Sequence, residues 1–206
     1  MSTILKSKFA RPLLIQDALR DQGIAFFTPN EVSRFFRLSP ETTKYFLETY
    51  TKRGLFMRVK KGLYALKSNM PREEVIANAL YRPSYISLEY ALSHYGIIPE
   101  SPYSITSVTT KVSASFIVRE KEFLYKKIKR EAFTGYAPEK AGGHTIFMAE
   151  PEKALVDYLY FVSLGKKTLN DRLDISRLNM KKAHGYASLF DRPGLTKIVD
   201  ALKLPS

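Results

Sequence analysis

The sequence contains no cysteine. That absence removes disulfides, thiolate nucleophiles and cysteine-based zinc sites together. It fits a reducing compartment, so a cytoplasmic protein is expected. Long apolar runs are missing as well. Nothing approaches the roughly 18 consecutive apolar residues of a membrane span, and "MSTILKSKFARPLLIQDALR" lacks the apolar core of a secretory leader. There is no glycine-rich phosphate loop; "AGG" at 141–143 reads as a turn before a strand. The three histidines, His94, His144 and His184, stand far apart with no HExxH-like spacing, so no metal-ligand set is expected. Acid is scarce relative to base: 20 Asp+Glu against 33 Lys+Arg, a net charge of +13.

A field of that sign attracts polyanions, whether nucleic acid or an acidic membrane face. The excess is uneven. Residues 1–68 hold 13 Lys+Arg and 5 Asp+Glu, a net of +8, and the remaining 138 residues carry 20 and 15, a net of +5. The first third is therefore far more basic per residue. A chain of 206 residues suits one large domain or two small ones.

Hydrophobic periodicity organises that basic third. Leu14, Ile15, Ala18 and Leu19 share one face of a helix over 11–22, which Gly23 stops. In "TPNEVSRFF", Thr28 suits an N-cap and Pro29 the first helical position, with Val32, Phe35 and Phe36 in phase. Ser39 and Pro40 then open a third helix, "PETTKYFLETYTKRG", whose Thr43, Phe46, Leu47 and Tyr50 form the buried stripe. Glu41, Thr42, Lys44, Tyr45, Glu48 and Lys52 are left outside, and Gly54 ends the helix. "LFMRVKKGLYAL" follows: two short apolar runs joined by "KKG", a hairpin with glycine where positive φ is needed.

Three helices and a basic hairpin predict a winged helix-turn-helix domain over 1–68. Double-stranded DNA is the expected partner. Arg58, Lys60 and Lys61, expected at the hairpin tip, are placed to hold phosphates, which adds affinity without reading sequence. Sequence reading falls to the first half of the third helix, with Thr42, Lys44 and Tyr45 as its candidate side chains. Winged helices also dock proteins, so a partner-binding regulator is the alternative.

Residues 69–206 predict a mixed helix–sheet–helix domain, making the whole chain α+β. Ser68 or Asn69 is a candidate cap for a helix carrying Val75, Ile76, Ala79 and Leu80. Leu88, Ala91, Leu92 and Tyr95 mark another, closed by Gly96. "YSITSVTTKV", "ASFIVRE", "FLYKKIKREAFTGYA" and "HTIFMA" are β-rich and suggest about four or five strands. Helices resume at "EPEKALVDYLYFV", with Leu155, Tyr158, Leu159 and Val162 as the stripe. After a loop over 165–176, two more are expected near 177–190 (Ala183, Tyr186, Ala187, Phe190) and 194–203 (Leu195, Ile198, Val199, Leu202).

No enzymatic site emerges from this half. Glu152 and Lys153 mimic the ExK of a metal-dependent nuclease, but the preceding "HTIFMA" brings no acidic ligand for a divalent cation. Glu150 and Glu152 better suit the positive end of their helix. The run "VREKEFLYKKIKRE", 118–131, holds six cations and three glutamates and reads as a solvated sheet face or a second contact surface. No catalytic residue, metal or cofactor is expected.

Three stretches together resemble a known family: "RVKKGLYAL", "YISLEYALSHYGIIPESPYSITSVTT" and "MAEPEKALVDYLYF". The chain resembles, over nearly its whole length, the AbiEi antitoxins of type IV toxin–antitoxin systems involved in abortive infection. The resemblance implies an N-terminal domain that binds inverted repeats in its own promoter and represses the operon. It implies a C-terminal domain opposing a nucleotidyltransferase-like toxin, without requiring a stable complex. Carried over, the DNA role falls on Thr42, Lys44, Tyr45, Arg58, Lys60 and Lys61; no residue is assigned an antitoxic role.

Overall fold

The computed structural model describes residues 10–202. The first nine residues, the side chain of Ile15 and Lys203 of the expected last helix lie outside that description. The described chain is α+β, with eight α-helices, a two-stranded sheet and a six-stranded sheet. It divides into two compact units between Arg72 and Glu73, a few residues past the boundary expected after Ser68.

The first unit holds α1 (Ala10–Asp21), α2 (Pro29–Phe36), α3 (Pro40–Lys52), β1 (Phe56–Lys60) and β2 (Leu63–Leu66). Local chemistry sets the helix starts. Thr28 and Glu31 form a reciprocal capping box at α2, and Ser39 accepts from the Thr42 amide at α3. Leu19, Val32, Phe46, Leu47, Phe56 and Leu66 share one apolar core, with Phe27 among them. Phe27 joins helices to hairpin twice over. Its ring meets Phe56 edge-on at 5.1 Å, and its backbone exchanges two 2.9 Å hydrogen bonds with Tyr64. One expectation fails here. Phe35 is in phase with Val32 but 58% exposed, because an eight-residue helix presents only a narrow stripe to α3.

The second unit begins with a correction. The helix after the hairpin is not capped at Ser68 or Asn69; those residues lie in a 3₁₀ turn, and α4 runs Glu73–Leu80. Pro71 is the reason: it holds Met70 in extended backbone, so a helix cannot run through. The buried face of α4 includes Ala77 and Asn78, with Ala79 only half-buried. Strands β3 (Ser84–Ile86), β4 (Ile105–Thr109), β5 (Ala114–Val118), β6 (Lys121–Lys127), β7 (Tyr136–Ala141) and β8 (His144–Ala149) follow. They form one mixed sheet in the order β5-β6-β4-β3-β8-β7, one strand beyond the upper expectation. β3 falls in none of the expected runs, three residues being too short for a periodic signal, and β7 lies mostly beyond the run that ends at Ala137. The shortness of β3 leaves one pairing with β8, Ile86 to Met148. The Asn78 side chain takes the next place: its Oδ1 accepts from the Phe147 amide at 2.6 Å and its Nδ2 donates to the Phe147 carbonyl at 3.3 Å.

Helices α5 (Leu88–His94), α6 (Pro151–Ser163), α7 (Met180–Ser188) and α8 (Pro193–Ala201) complete the unit, with α5, α7 and α8 all packed on α6. α6 is therefore buried well beyond the expected stripe, while Val162 at its end is only half-buried. Lys153 and Asp157, one turn apart, are completely buried and form an ion pair. Asp157 also accepts from the Tyr85 hydroxyl at 3.0 Å and the Ser87 hydroxyl at 2.7 Å, tying α6 to the sheet. The Lys153 ammonium lies 5.8 Å from the Tyr85 ring centroid and 4.8 Å from that of Phe190. Burial pulls the Lys153 ammonium down and pushes the Asp157 carboxyl up, each opposed by the other's charge.

At the start of α6, Glu150 and Glu152 serve α7 as well as their own helix end. Lys182 pairs with both, at 3.1 and 3.4 Å, and Glu152 accepts from the Asn179 amide. The Tyr186 hydroxyl donates to Glu150, and its ring lies over Gly135 at φ +72, where an added Cβ would meet ring atoms at 2.7 Å. The hydrogen bond from Tyr186, and then Lys182, holds the Glu150 carboxyl below its ordinary value against a smaller opposing effect of burial. Burial and Glu150 push the Tyr186 hydroxyl up to about 12.

Asp157→Asn, leaving Lys153 buried without its counter-charge, is expected to cost about 3–5 kcal/mol in urea denaturation. The pair Lys153→Met with Asp157→Leu is expected to cost far less than the sum of its single changes. Tyr186→Phe removes the largest effect depressing the Glu150 pKa. A depressed carboxyl adds stability above its unfolded value and loses it as pH falls. The variant should thus be less stable than the parent by about 1 kcal/mol near pH 7, discounted for partial exposure. The gap should narrow below about pH 4, as melting curves across pH will show.

Candidate nucleic-acid interface

The connection between α2 and α3 is three residues, Arg37, Leu38 and Ser39. Arg37 takes the left-handed conformation at φ 51, which turns the chain sharply. The Leu38 amide and carbonyl both return to Ser33, at 3.0 and 2.7 Å, so the turn is closed by backbone and side chain together. α3 then buries Thr43, Phe46 and Leu47, as the 3.6-residue period requires, and half-buries Tyr50.

That burial decides what α3 shows to solvent. Lys44 is exposed and Tyr45 is 73% exposed, so both are free of core duty. Thr42 is exposed too, but its hydroxyl lies 3.1 Å from that of Ser39, within the cap. Thr42 is thus part of the helix start, and less free to meet a ligand than Lys44 or Tyr45. Glu41 sits beside it. Its own backbone amide, and then Ser39, hold its carboxyl below the ordinary value, so the start of α3 keeps a negative charge.

The hairpin departs from expectation in one detail. The three cations expected at its tip are spread along it. Lys61 lies in the turn with Gly62, at φ 77; Lys60 ends β1; Arg58 lies within the strand, opposite Tyr64. The pairing slips between Arg58 and Lys60, so Val59 is an extra residue, a β-bulge. The bulge turns Val59 into the core. Arg58 and Lys61 remain exposed and Lys60 is half-buried.

Further cations of this unit carry no expected role, among them Arg34, Arg37 and Arg53. Arg34 is exposed on the last turn of α2, and Arg37 is exposed in the α2–α3 turn. Arg53 follows α3, its guanidinium 5.5 Å from the Tyr50 ring centroid. The signal was present in "FFRLSP", where a cation sits in a short inter-helix connection. In the other unit, the run 118–131 is not one solvated face. β6 lies between β5 and β4, Lys121 pairs with Glu73 at 3.1 Å, and Phe123 and Tyr125 are buried. Lys127, Lys129 and Arg130 are its exposed cations, with Arg119 in the turn before it.

No family model matches the chain, and no curated protein matches it. Among the described residues, no group of three or more acidic or histidine side chains is placed to hold a metal ion. No described helix is long and apolar enough to cross a membrane.

Lys44→Ala and Tyr45→Ala should each leave folding stability within about 0.5 kcal/mol of the parent. Ser39→Ala should cost about 1 kcal/mol through the lost cap. Urea denaturation monitored by circular dichroism separates the two classes.

Proposed function

We propose that the chain is a DNA-binding transcriptional autorepressor whose first unit is a winged helix-turn-helix. α3 is its reading helix and β1–β2 its wing. The observation that carries this reading is the outward face of α3. Lys44 and Tyr45 stand exposed there, in the same unit as a hairpin with exposed Arg58 and Lys61 and a closed three-residue turn. An exposed cation and tyrosine on a rigid helix suit contacts to base edges and sugar-phosphate, while Arg58, Lys60 and Lys61 suit phosphates alone. The partner is double-stranded DNA upstream of its own gene, an inverted repeat bound by two copies. The second unit is assigned the antitoxin role against a nucleotidyltransferase-like toxin, on the strength of the resemblance to AbiEi antitoxins. No catalytic step belongs to this reading.

A second reading has its own observation. Phe35, 58% exposed, and Ile24, 38% exposed, border a cavity of about 410 Å³ walled by Leu19, Phe27, Val32 and Phe36. An apolar recess of that kind on the helical unit favours a regulator that docks a protein rather than DNA.

Titration of the protein against the DNA preceding its own start codon, over a salt series, separates the two. The expected result is preference over random DNA with a log–log salt slope on the order of −4 to −8. In the Arg58, Lys60, Lys61 triple-alanine variant the slope should become shallower by about 2–3. Equal affinity for random DNA, with an unchanged slope in the variant, refutes the autorepressor reading and leaves protein docking.

A further inference from the structure

In the second unit, a cavity of about 410 Å³ opens beside the end of α4, bounded by β3, β7 and β8. Its size matches small-molecule sites. Three aromatic side chains form one wall. Tyr136 stacks on buried Tyr85 with ring centroids 4.5 Å apart and planes 20° apart; Phe133 lies 5.5 Å and Phe147 5.8 Å from the Tyr136 ring. Tyr136 and Phe147 are nonetheless 37% and 44% exposed, so their outer faces remain open. Stacking from behind holds those faces in place before any ligand arrives.

The polar lining is of one kind. Arg82 stands at the cavity with its Nε fixed on the Asn78 carbonyl at 3.1 Å, which orients the guanidinium fork. Ser84 lines the same space. Its hydroxyl oxygen is buried and has no hydrogen-bond partner among the described residues. Thr145 adds a hydroxyl, on which the Lys140 ammonium rests at 3.0 Å. No aspartate or glutamate is among the lining residues.

We propose that this cavity binds a small aromatic anion: a planar ring against Tyr136 and Phe147, with its phosphate or carboxylate held by Arg82 and the Thr145 hydroxyl. Guanidinium forks match both oxyanions in two-point contacts, and aromatic faces accept planar rings of many kinds. A cationic ligand is disfavoured by Arg82. A purely apolar one leaves the Arg82 fork without an acceptor. The site is independent of the nucleic-acid reading of the first unit.

Calorimetric titration of the full chain tests it, with adenosine monophosphate and benzoate as ring-plus-anion probes, and adenosine and inorganic phosphate as the separated halves. The expected result is single-site saturation by at least one ring-plus-anion probe, at least about tenfold tighter than either half. Tighter binding of the nucleotide identifies a phosphate-bearing ligand; tighter binding of benzoate identifies an aromatic acid. Arg82→Gln should weaken that binding about tenfold or more. Thr145→Glu, an exposed strand position that puts a carboxylate at the mouth, should do the same with the melting temperature unchanged. Absence of saturation at millimolar concentrations of both probes overturns the proposal. So does binding that survives both substitutions, which would place the anion on the general basic surface instead.

Discussion

Much of the second unit depends on one buried ion pair. Lys153 and Asp157 sit on the helix around which α5, α7 and α8 gather, and neither side chain touches water. Charges in such a place persist only if their hydrogen-bonding capacity is filled. Here it is filled from several directions: Tyr85 and Ser87 donate to the carboxylate, and the rings of Tyr85 and Phe190 flank the ammonium. The pair therefore specifies which strand and which C-terminal residue must meet α6. An apolar pair of similar volume would fill the space without imposing that choice. The ExK-like look of Glu152 and Lys153 has a structural meaning: the lysine is sealed in the core and the glutamate accepts from the amide of Asn179, the residue that caps α7.

The first unit works by a different constraint. Its core is small and rich in aromatics, and Phe27 bridges helices and hairpin through both ring and backbone. Fixing the hairpin in that way fixes where Arg58 and Lys61 stand relative to α3. The face of α3 that packs is thus separate from the face that is free, and the free face keeps Lys44 and Tyr45. A DNA-binding role needs that separation, because contacts to DNA must be changeable without unfolding the module.

The aromatic cavity in the second unit is tied to the same buried pair. Tyr85 donates to Asp157 from below and supports Tyr136 from behind, so the open ring faces rest on the most constrained part of the fold. A pocket wall so supported is rigid, and rigidity lowers the cost of ordering on binding.

Sequence alone determined the local structure of the first unit. Thr28, Pro29, Ser39 and Pro40 announce the two helix starts, the Thr43–Tyr50 stripe announces the buried face, and "KKG" announces the hairpin turn. These signals were legible because capping, period and turn chemistry act between residues a few positions apart. In the second unit, α6 and α7 were visible as stripes for the same reason. What tertiary structure decided involves partners far apart in the chain. Phe35 has the right phase for burial yet is 58% exposed. Arg58 lies within β1 and not at the hairpin tip, and the Val59 bulge, which puts Arg58 opposite Tyr64, has no local sequence signal. β3 exists as a strand because β4 and β8 flank it, and Asn78 completes the β8 edge from 69 residues away. The burial of Lys153 and Asp157 lay beyond reach too. A helix hydrophobic stripe has two sides in sequence, and only packing from all directions makes the remaining side an interior.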